Sequence, residues 1–198
     1  MNMKRFFALL LALVLCLTPL SALAETYDVS EGSITVYAEG DVQKVEQGGE
    51  VYTQTEATVI TGTSTGSGAN TVTVNAEAGQ TINIVIRDLT INTREDPDKE
   101  DSDGGAALLV NAGGSVTVEL EGNNSLTSGE GHAGMEKEGT GALTIGDEDG
   151  DGSLTAAGGE GGAGIGGGYK GDGTDITISG GTISATGGRY GAGIGGGG

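Results

Sequence analysis

The feature that most limits what this chain can fold into is a repeat. The segment Gly162-Ala163-Gly164-Ile165-Gly166-Gly167-Gly168 recurs unchanged as Gly191-Ala192-Gly193-Ile194-Gly195-Gly196-Gly197, an offset of 29 residues. The preceding residues match at the same offset, Ser153 to Gly159 against Thr182 to Gly188, and a weaker copy lies upstream at Ser125 to Gly129 and Ala133 to Met135. Each unit carries a second short run in which an apolar residue alternates with Thr or another polar one: Val116 to Leu120, Leu143 to Ile145, Ile176 to Ile178. Period-two alternation is the mark of a strand with one buried face. Similar runs fill the first half at Ile34 to Val36, Val72 to Val74, Ile82 to Ile86 and Leu89 to Ile91. No segment holds a 3.6-residue apolar period long enough for a helix. Short strands between glycine turns suit a sandwich or a solenoid, and the recurring period decides for the solenoid, because sandwich strands do not repeat their sequence.

The expected fold is therefore all-β, a right-handed parallel β-helix with a period near 29 residues. Ile165 and Ile194 should stack in adjacent rungs, each such burial contributing about 1.5–3 kcal/mol. All 41 glycines follow residue 24, and glycine is costly to order; the regular β-branched residues between them distinguish the chain from a flexible linker.

The N-terminus carries a signal-peptide pattern. Lys4 and Arg5 precede the apolar run Phe6 to Leu17, and Ala22-Leu23-Ala24 places small residues at −3 and −1 before Glu25. Twelve apolar residues are too few to span a bilayer, which takes about 20, and Leu15 before Cys16 does not fit a lipoprotein site. The expectation is a signal peptide over 1–24, an N-terminal β segment or cap over 25–70, and β-helix repeats over 71–198. Since terminal rungs normally need polar caps and the last residues lie inside a repeat, the C-terminus reads as truncated from a longer parent. Location is expected to be extracellular, with attachment to a cell surface as a variant.

Cleavage would remove the lone cysteine, Cys16, and leave five tyrosines as the aromatic residues. Loss of Lys4 and Arg5 leaves seven bases against 28 acids, taking the charge from −19 to −21. Nucleic acid is excluded as a partner, because phosphate binding needs clustered cations, and an anionic membrane surface is disfavoured on the same ground.

The strands, the steps Gly152-Ser153-Leu154-Thr155-Ala156-Ala157-Gly158-Gly159 and Gly181-Thr182-Ile183-Ser184-Ala185-Thr186-Gly187-Gly188, and the repeated GAGIGGG turns resemble secreted bacterial carbohydrate-binding β-helix domains. The likeness covers Val72 to Gly198 well and residues 25–70 poorly. It implies a pectate-lyase-like fold, calcium, and binding of plant cell-wall polysaccharide without a demonstrated need for catalysis. Copies of GAGIGGG also occur in large surface proteins.

Several motifs bear on chemistry. Gly162-x-Gly164-x-x-Gly167 satisfies a dinucleotide fingerprint formally, but it recurs at Gly191 and no helix follows either copy, so it is rejected. Asp147, Asp149 and Asp151, with Gly152 at the sixth position and Leu154 at the eighth, follow calcium-loop logic. Gly158 stands where the bidentate Glu belongs, so the site is not an EF-hand; the plain alternative is a solvated turn. Glu95 to Asp103 reads as an exposed acidic insertion loop around Pro97. His132 lies in a glycine turn without a Ser or Cys nucleophile motif, so no triad is expected, and Arg87 beside Asp88 reads as a surface pair. Tyr169 and Tyr190 flank the GAGIGGG turns and are the expected sugar-contacting residues. The leading functional reading is a non-catalytic binder of extracellular, possibly acidic, polysaccharide supported by calcium. The alternative is a structural stalk or adhesin repeat, and the third is a polysaccharide lyase or hydrolase.

Overall fold

The computed structural model describes residues 24–96 and 103–198; nearly all of the signal sequence and the centre of the acidic insertion lie outside them. A lead strand β1 (Thr26–Asp28) and a 3-10 turn over Val29–Glu31 precede β2 (Ile34–Glu39), after which β3 (Val42–Gln47) and β4 (Glu50–Gln54) form an antiparallel meander. β5 (Thr58–Thr61) and β6 (Thr63–Thr65) complete that turn of the coil. Each later turn has three strands: β7 (Val72–Ala76), β8 (Thr81–Arg87) and β9 (Thr90–Asn92); then β10 (Leu108–Ala112), β11 (Ser115–Glu121) and β12 (Asn123–Thr127); then β13 (Met135–Glu138), β14 (Ala142–Gly146) and β15 (Ser153–Ala157); then β16 (Ile165–Gly166), β17 (Ile176–Ile178) and β18 (Thr182–Thr186). β19 (Ile194–Gly195) opens another turn. The strands stack into three sheets: β4-β3-β2-β7-β10-β13-β16-β19, β1-β5-β8-β11-β14-β17, and β6-β9-β12-β15-β18. Every pairing outside the meander is parallel, which makes the chain a β-solenoid of about five turns.

The alternating runs explain this arrangement. Inward residues of successive turns meet as columns, such as Ile82–Val116–Leu143–Ile176 and Ile84–Val118–Ile145–Ile178. Another column runs Ile34–Val72–Leu108–Met135–Ile165–Ile194, so the expected stack of Ile165 on Ile194 is present. Ile165 is fully buried, whereas Ile194 is half exposed in the last turn. Outward positions also stack: Asn111 Nδ2 donates to Asn75 Oδ1 at 2.8 Å.

The period is near 30 residues, with variation that the repeat alone did not reveal. Along the first sheet the partners step from Val72 to Leu108, Met135, Ile165 and Ile194, so the spacing runs 36, 27, 30 and 29 residues. Only the strands must keep register, because their inward side chains share one core; corner loops face water and absorb insertions at little cost. The longest step contains the acidic insertion, whose neck closes where the Glu95 N–H donates to the Asp103 carbonyl at 2.9 Å. Beside that neck Arg94 ties two turns together, donating from Nε to the Ser128 carbonyl at 3.1 Å and from Nη2 to the Gly158 carbonyl at 2.8 Å.

At the other end, β3 and β4 continue the first sheet beyond β2. Within residues 25–70, β1, β2, β5 and β6 belong to the three sheets. Glu25, the first residue after the expected cleavage point, is tied in: its Oε2 accepts from Tyr27 Oη at 2.8 Å and Gln54 Nε2 at 2.9 Å. The Gln54 and Tyr27 hydrogen bonds hold its carboxyl below the usual carboxylate range.

Candidate functional site

The glycine turns between the third and first sheets stack on one another. The Gly131 N–H donates to the Glu160 carbonyl at 2.8 Å, and the Gly161 N–H donates to the Arg189 carbonyl at 2.7 Å. Corresponding positions therefore form two columns, Glu130–Glu160–Arg189 and Gly131–Gly161–Tyr190. The second column needs left-handed backbone: φ is 78° at Gly131, 81° at Gly161 and 73° at Tyr190. A non-glycine residue held there costs on the order of 1–3 kcal/mol. Tyrosine therefore stands where the fold itself prefers glycine.

Tyr169 reaches the same surface from the loop that follows β16. Its N–H donates to the Gly131 carbonyl at 2.7 Å, and a Cβ added at Gly161 would fall 3.0 Å from its Cδ2, so the ring lies over the glycine column. Tyr169 and Tyr190 are 60% and 69% exposed, the two most exposed large apolar side chains among the described residues. They share an open groove of about 490 Å³ with Glu130 and Glu160. A cation attends each ring: Lys170 Nζ lies 4.7 Å from the Tyr169 centroid, and the Arg189 guanidinium carbon 4.8 Å from that of Tyr190. The structure thus gathers the two tyrosines singled out in the sequence into one shelf with carboxylates at its border.

A second cavity, of about 510 Å³, adjoins the shelf under residues 167–174; Gly131 and Tyr169 line both spaces. His132 Nδ1 lies 2.9 Å from Glu136 Oε2, which also accepts the Ala133 N–H at 2.9 Å. The Glu136 side chain is only 5% exposed, and a Cβ at Gly168 would fall 2.9 Å from its Oε1, so the loop covers it. The hydrogen bond to Glu136 raises the His132 pKa above its ordinary value, with burial opposing. Beside this pair is Lys137, 3% exposed, whose Nζ donates to the Gly139 carbonyl at 2.7 Å.

None of these three residues was singled out as a site from the sequence. His132 and Glu136 sit on either side of a turn-to-strand boundary, so their spacing matches neither a helix face nor a strand face. Lys137 left a signal. Aligning Met135 with Ile165 gives it inward parity, at the position that earlier turns fill with Val36, Val74 and Val110.

The acidic motif at the corner before β15 forms a turn. Asp147 Oδ1 accepts the Gly150 N–H at 2.9 Å, while Asp149 and Asp151 are exposed. Glu119 Oε1 accepts the Glu148 N–H from the turn below. Among the described residues no three His, Cys, Asp or Glu side chains are placed to hold one metal ion. Asp147, Asp149 and Asp151 thus do not converge on one point in this conformation. Arg87 pairs with Glu121 of the next turn rather than with Asp88, whose Oδ1 accepts the Asn123 N–H at 3.0 Å. That pair is half exposed and belongs to the surface.

Comparison with protein-family models, curated proteins and solved structures finds no match to this chain.

Proposed function

We propose that this chain is an exported, non-catalytic carbohydrate-binding domain that holds an extracellular polysaccharide across the Tyr169–Tyr190 shelf. One observation carries the reading: Tyr190 occupies a left-handed position that the two preceding turns give to glycine, and it lines one groove with Tyr169, Glu130 and Glu160. An exposed aromatic plane is the surface on which the apolar face of a sugar ring rests, and the neighbouring carboxylates can accept from its hydroxyls. Glu130 and Glu160 line the border of the groove. A rigid stacked-turn scaffold supports this use, because the platform is built before the ligand arrives and little is lost on ordering it.

The test is a titration of the purified mature chain against neutral galactan and acidic galacturonan oligosaccharides, followed by calorimetry. Saturable binding is expected, with no new reducing ends over the course of the experiment. Absence of binding to every oligosaccharide would instead leave the solenoid as a spacer that displays other domains.

A further inference from the structure

The three sheets leave several strand edges open, and β4 is the one without protection. β1, β6 and β17 have three residues each and β19 has two; a short edge is one way in which proteins discourage pairing with another chain. β18 has five residues but lies in the last turn. β4 also has five, with no Pro, no Lys and no bulge in its continuous register with β3. Among the described residues no strand pairs with its outer edge. Glu50, Val51, Tyr52 and Thr53 are all exposed, Val51 by 53% and Tyr52 by 41%.

The turn into β4 decides which backbone groups are free. Gly48 and Gly49 form a two-residue loop with φ of 62° and 84°, so the flanking Gln47 and Glu50 exchange ladder bonds. Alternation then bonds Tyr52 to Val45 and turns the N–H and C=O of Val51 and Thr53 outward. The strand is already held in place. Gln54 Nε2 donates to Tyr27 Oη at 2.5 Å and to Glu25 Oε2 at 2.9 Å, and the Tyr52 ring meets Tyr27 edge to face at 5.4 Å. Little ordering cost is left for a partner to meet.

In shape, β4 reads nearly the same in both directions. The β-branched Val51 and Thr53 flank Tyr52, and Glu50 and Gln54, of equal length, lie outside them. Antiparallel pairing of two copies about Tyr52 therefore sets Val51 against the partner's Thr53, so that the free N–H and C=O of each meet those of the other. Tyr52 meets the partner's Tyr52 as a non-hydrogen-bonded pair, the closer kind. Glu50 faces the partner's Gln54, which is neutral, so no like charges stand directly opposite. A site for a basic peptide would need carboxylates along the strand, and Val51 to Gln54 carry none. We infer that β4 is a self-association surface, through which two copies of the chain pair antiparallel about a two-fold axis at Tyr52. Such an isologous contact closes at the dimer. It lies at the first turn, away from the tyrosine shelf of the last turns, and does not rest on the glycan reading.

One strand pair buries less than the roughly 1,200 Å² of a standard stable interface, so the dimer is reversible, with a dissociation constant on the order of tens of micromolar. Sedimentation velocity of the purified mature chain over a concentration series measures it. Two acidic chains repel each other, so raising the salt from about 0.05 to about 0.5 M should tighten the dimer by screening. Val51→Pro removes a donor from the free edge and leaves the β3 ladder intact, as proline is tolerated on an edge strand; it should weaken pairing by at least about fivefold, the factor of one hydrogen bond of ordinary strength, without lowering the melting temperature. Ile194→Lys, in the last turn, should leave the dimer unchanged. Hydrogen exchange of wild type covers the case in which Val51→Pro does not fold: the Val51 and Thr53 amides should slow as concentration rises. A chain that stays monomeric to about 1 mM, a dimer that salt weakens, or a dimer lost in Ile194→Lys would each overturn the assignment. So would a dimer whose Val51 and Thr53 amides exchange at the monomer's rate.

Discussion

Replacing Ile165 with alanine tests the stacked core where its neighbours differ most. Ile165 is fully buried and lies between Met135, also fully buried, and Ile194, which is half exposed. Truncation of a buried isoleucine costs about 2–5 kcal/mol, depending on how well the site collapses. Here one wall of the cavity is rigid and the other lies in a peripheral turn that can relax, so about 3 kcal/mol is expected. For a chain of this size that corresponds to a fall in melting temperature of roughly 6–12 °C. Ile165→Asp should cost more, because it adds an unpaired carboxylate to the column. Ile194→Ala, at the exposed end of the same column, should cost under about 1 kcal/mol. The assay is urea unfolding followed by far-ultraviolet circular dichroism, with the slope checked for two-state behaviour. If Ile165→Ala falls within about 0.5 kcal/mol of wild type, as surface substitutions do, Ile165 does not face the core and the column assignment is wrong.

The His132–Glu136 pair gives a pH signature. Because the folded-state pKa of His132 is raised, its contribution is complete below the unfolded value of about 6.5 and is lost as pH rises through the folded value. The stability gap between wild type and His132→Gln should therefore be wider at about pH 6 than at about pH 9; a constant gap would show that charge on the imidazole plays no part. Melting in calcium and in chelator tests whether the turn of Asp147, Asp149 and Asp151 takes up an ion, superimposed curves leaving it a solvated turn. An ion bound at 100 times its Kd would add about 2.7 kcal/mol, so an upward shift of several degrees would show that the turn rearranges around a metal. N-terminal sequencing of the exported protein should begin at Glu25, and a chain retaining Met1 would contradict the signal-peptide reading.

The parts of the fold that could be read in advance are those fixed by near-identical turns. Val116 to Leu120, Leu143 to Ile145 and Ile176 to Ile178 became strands of one sheet, and Ile165 met Ile194, because inward apolar residues must find equivalent partners one turn away. The meander of β3 and β4 lay outside that logic: Val42 to Gln54 does not repeat, and its antiparallel pairing depends on two tight turns rather than on a period. The acidic insertion from Glu95 to Asp103 was visible, but its effect on the period was not: the 36-residue step from Val72 to Leu108 and the 27-residue step from Leu108 to Met135 differ in corner loops, not in the strands. At the site, Tyr169 and Tyr190 were visible as scarce aromatics beside the repeated turns. The left-handed backbone of Tyr190 was implicit in its alignment with Gly131 and Gly161. The His132–Glu136 contact was not readable, because the two residues flank a turn-to-strand boundary and their spacing matches neither a helix face nor a strand face.

The central claim is that Tyr169 and Tyr190 are present for a ligand rather than for the fold, and Tyr190→Gly combined with Tyr169→Ala tests it most directly. Glycine restores at position 190 the residue that the two preceding turns use, and both tyrosines are more than half exposed. The variant should unfold within about 1 kcal/mol of wild type, relief of the left-handed strain offsetting the greater flexibility of glycine. Oligosaccharide affinity should fall by about 2 kcal/mol for each ring that acts as an anchor, roughly thirtyfold apiece. Calorimetric titration and urea unfolding of the same preparation measure both quantities. Lost affinity with retained stability is the predicted result; retained affinity, or stability that collapses with the rings, would contradict it.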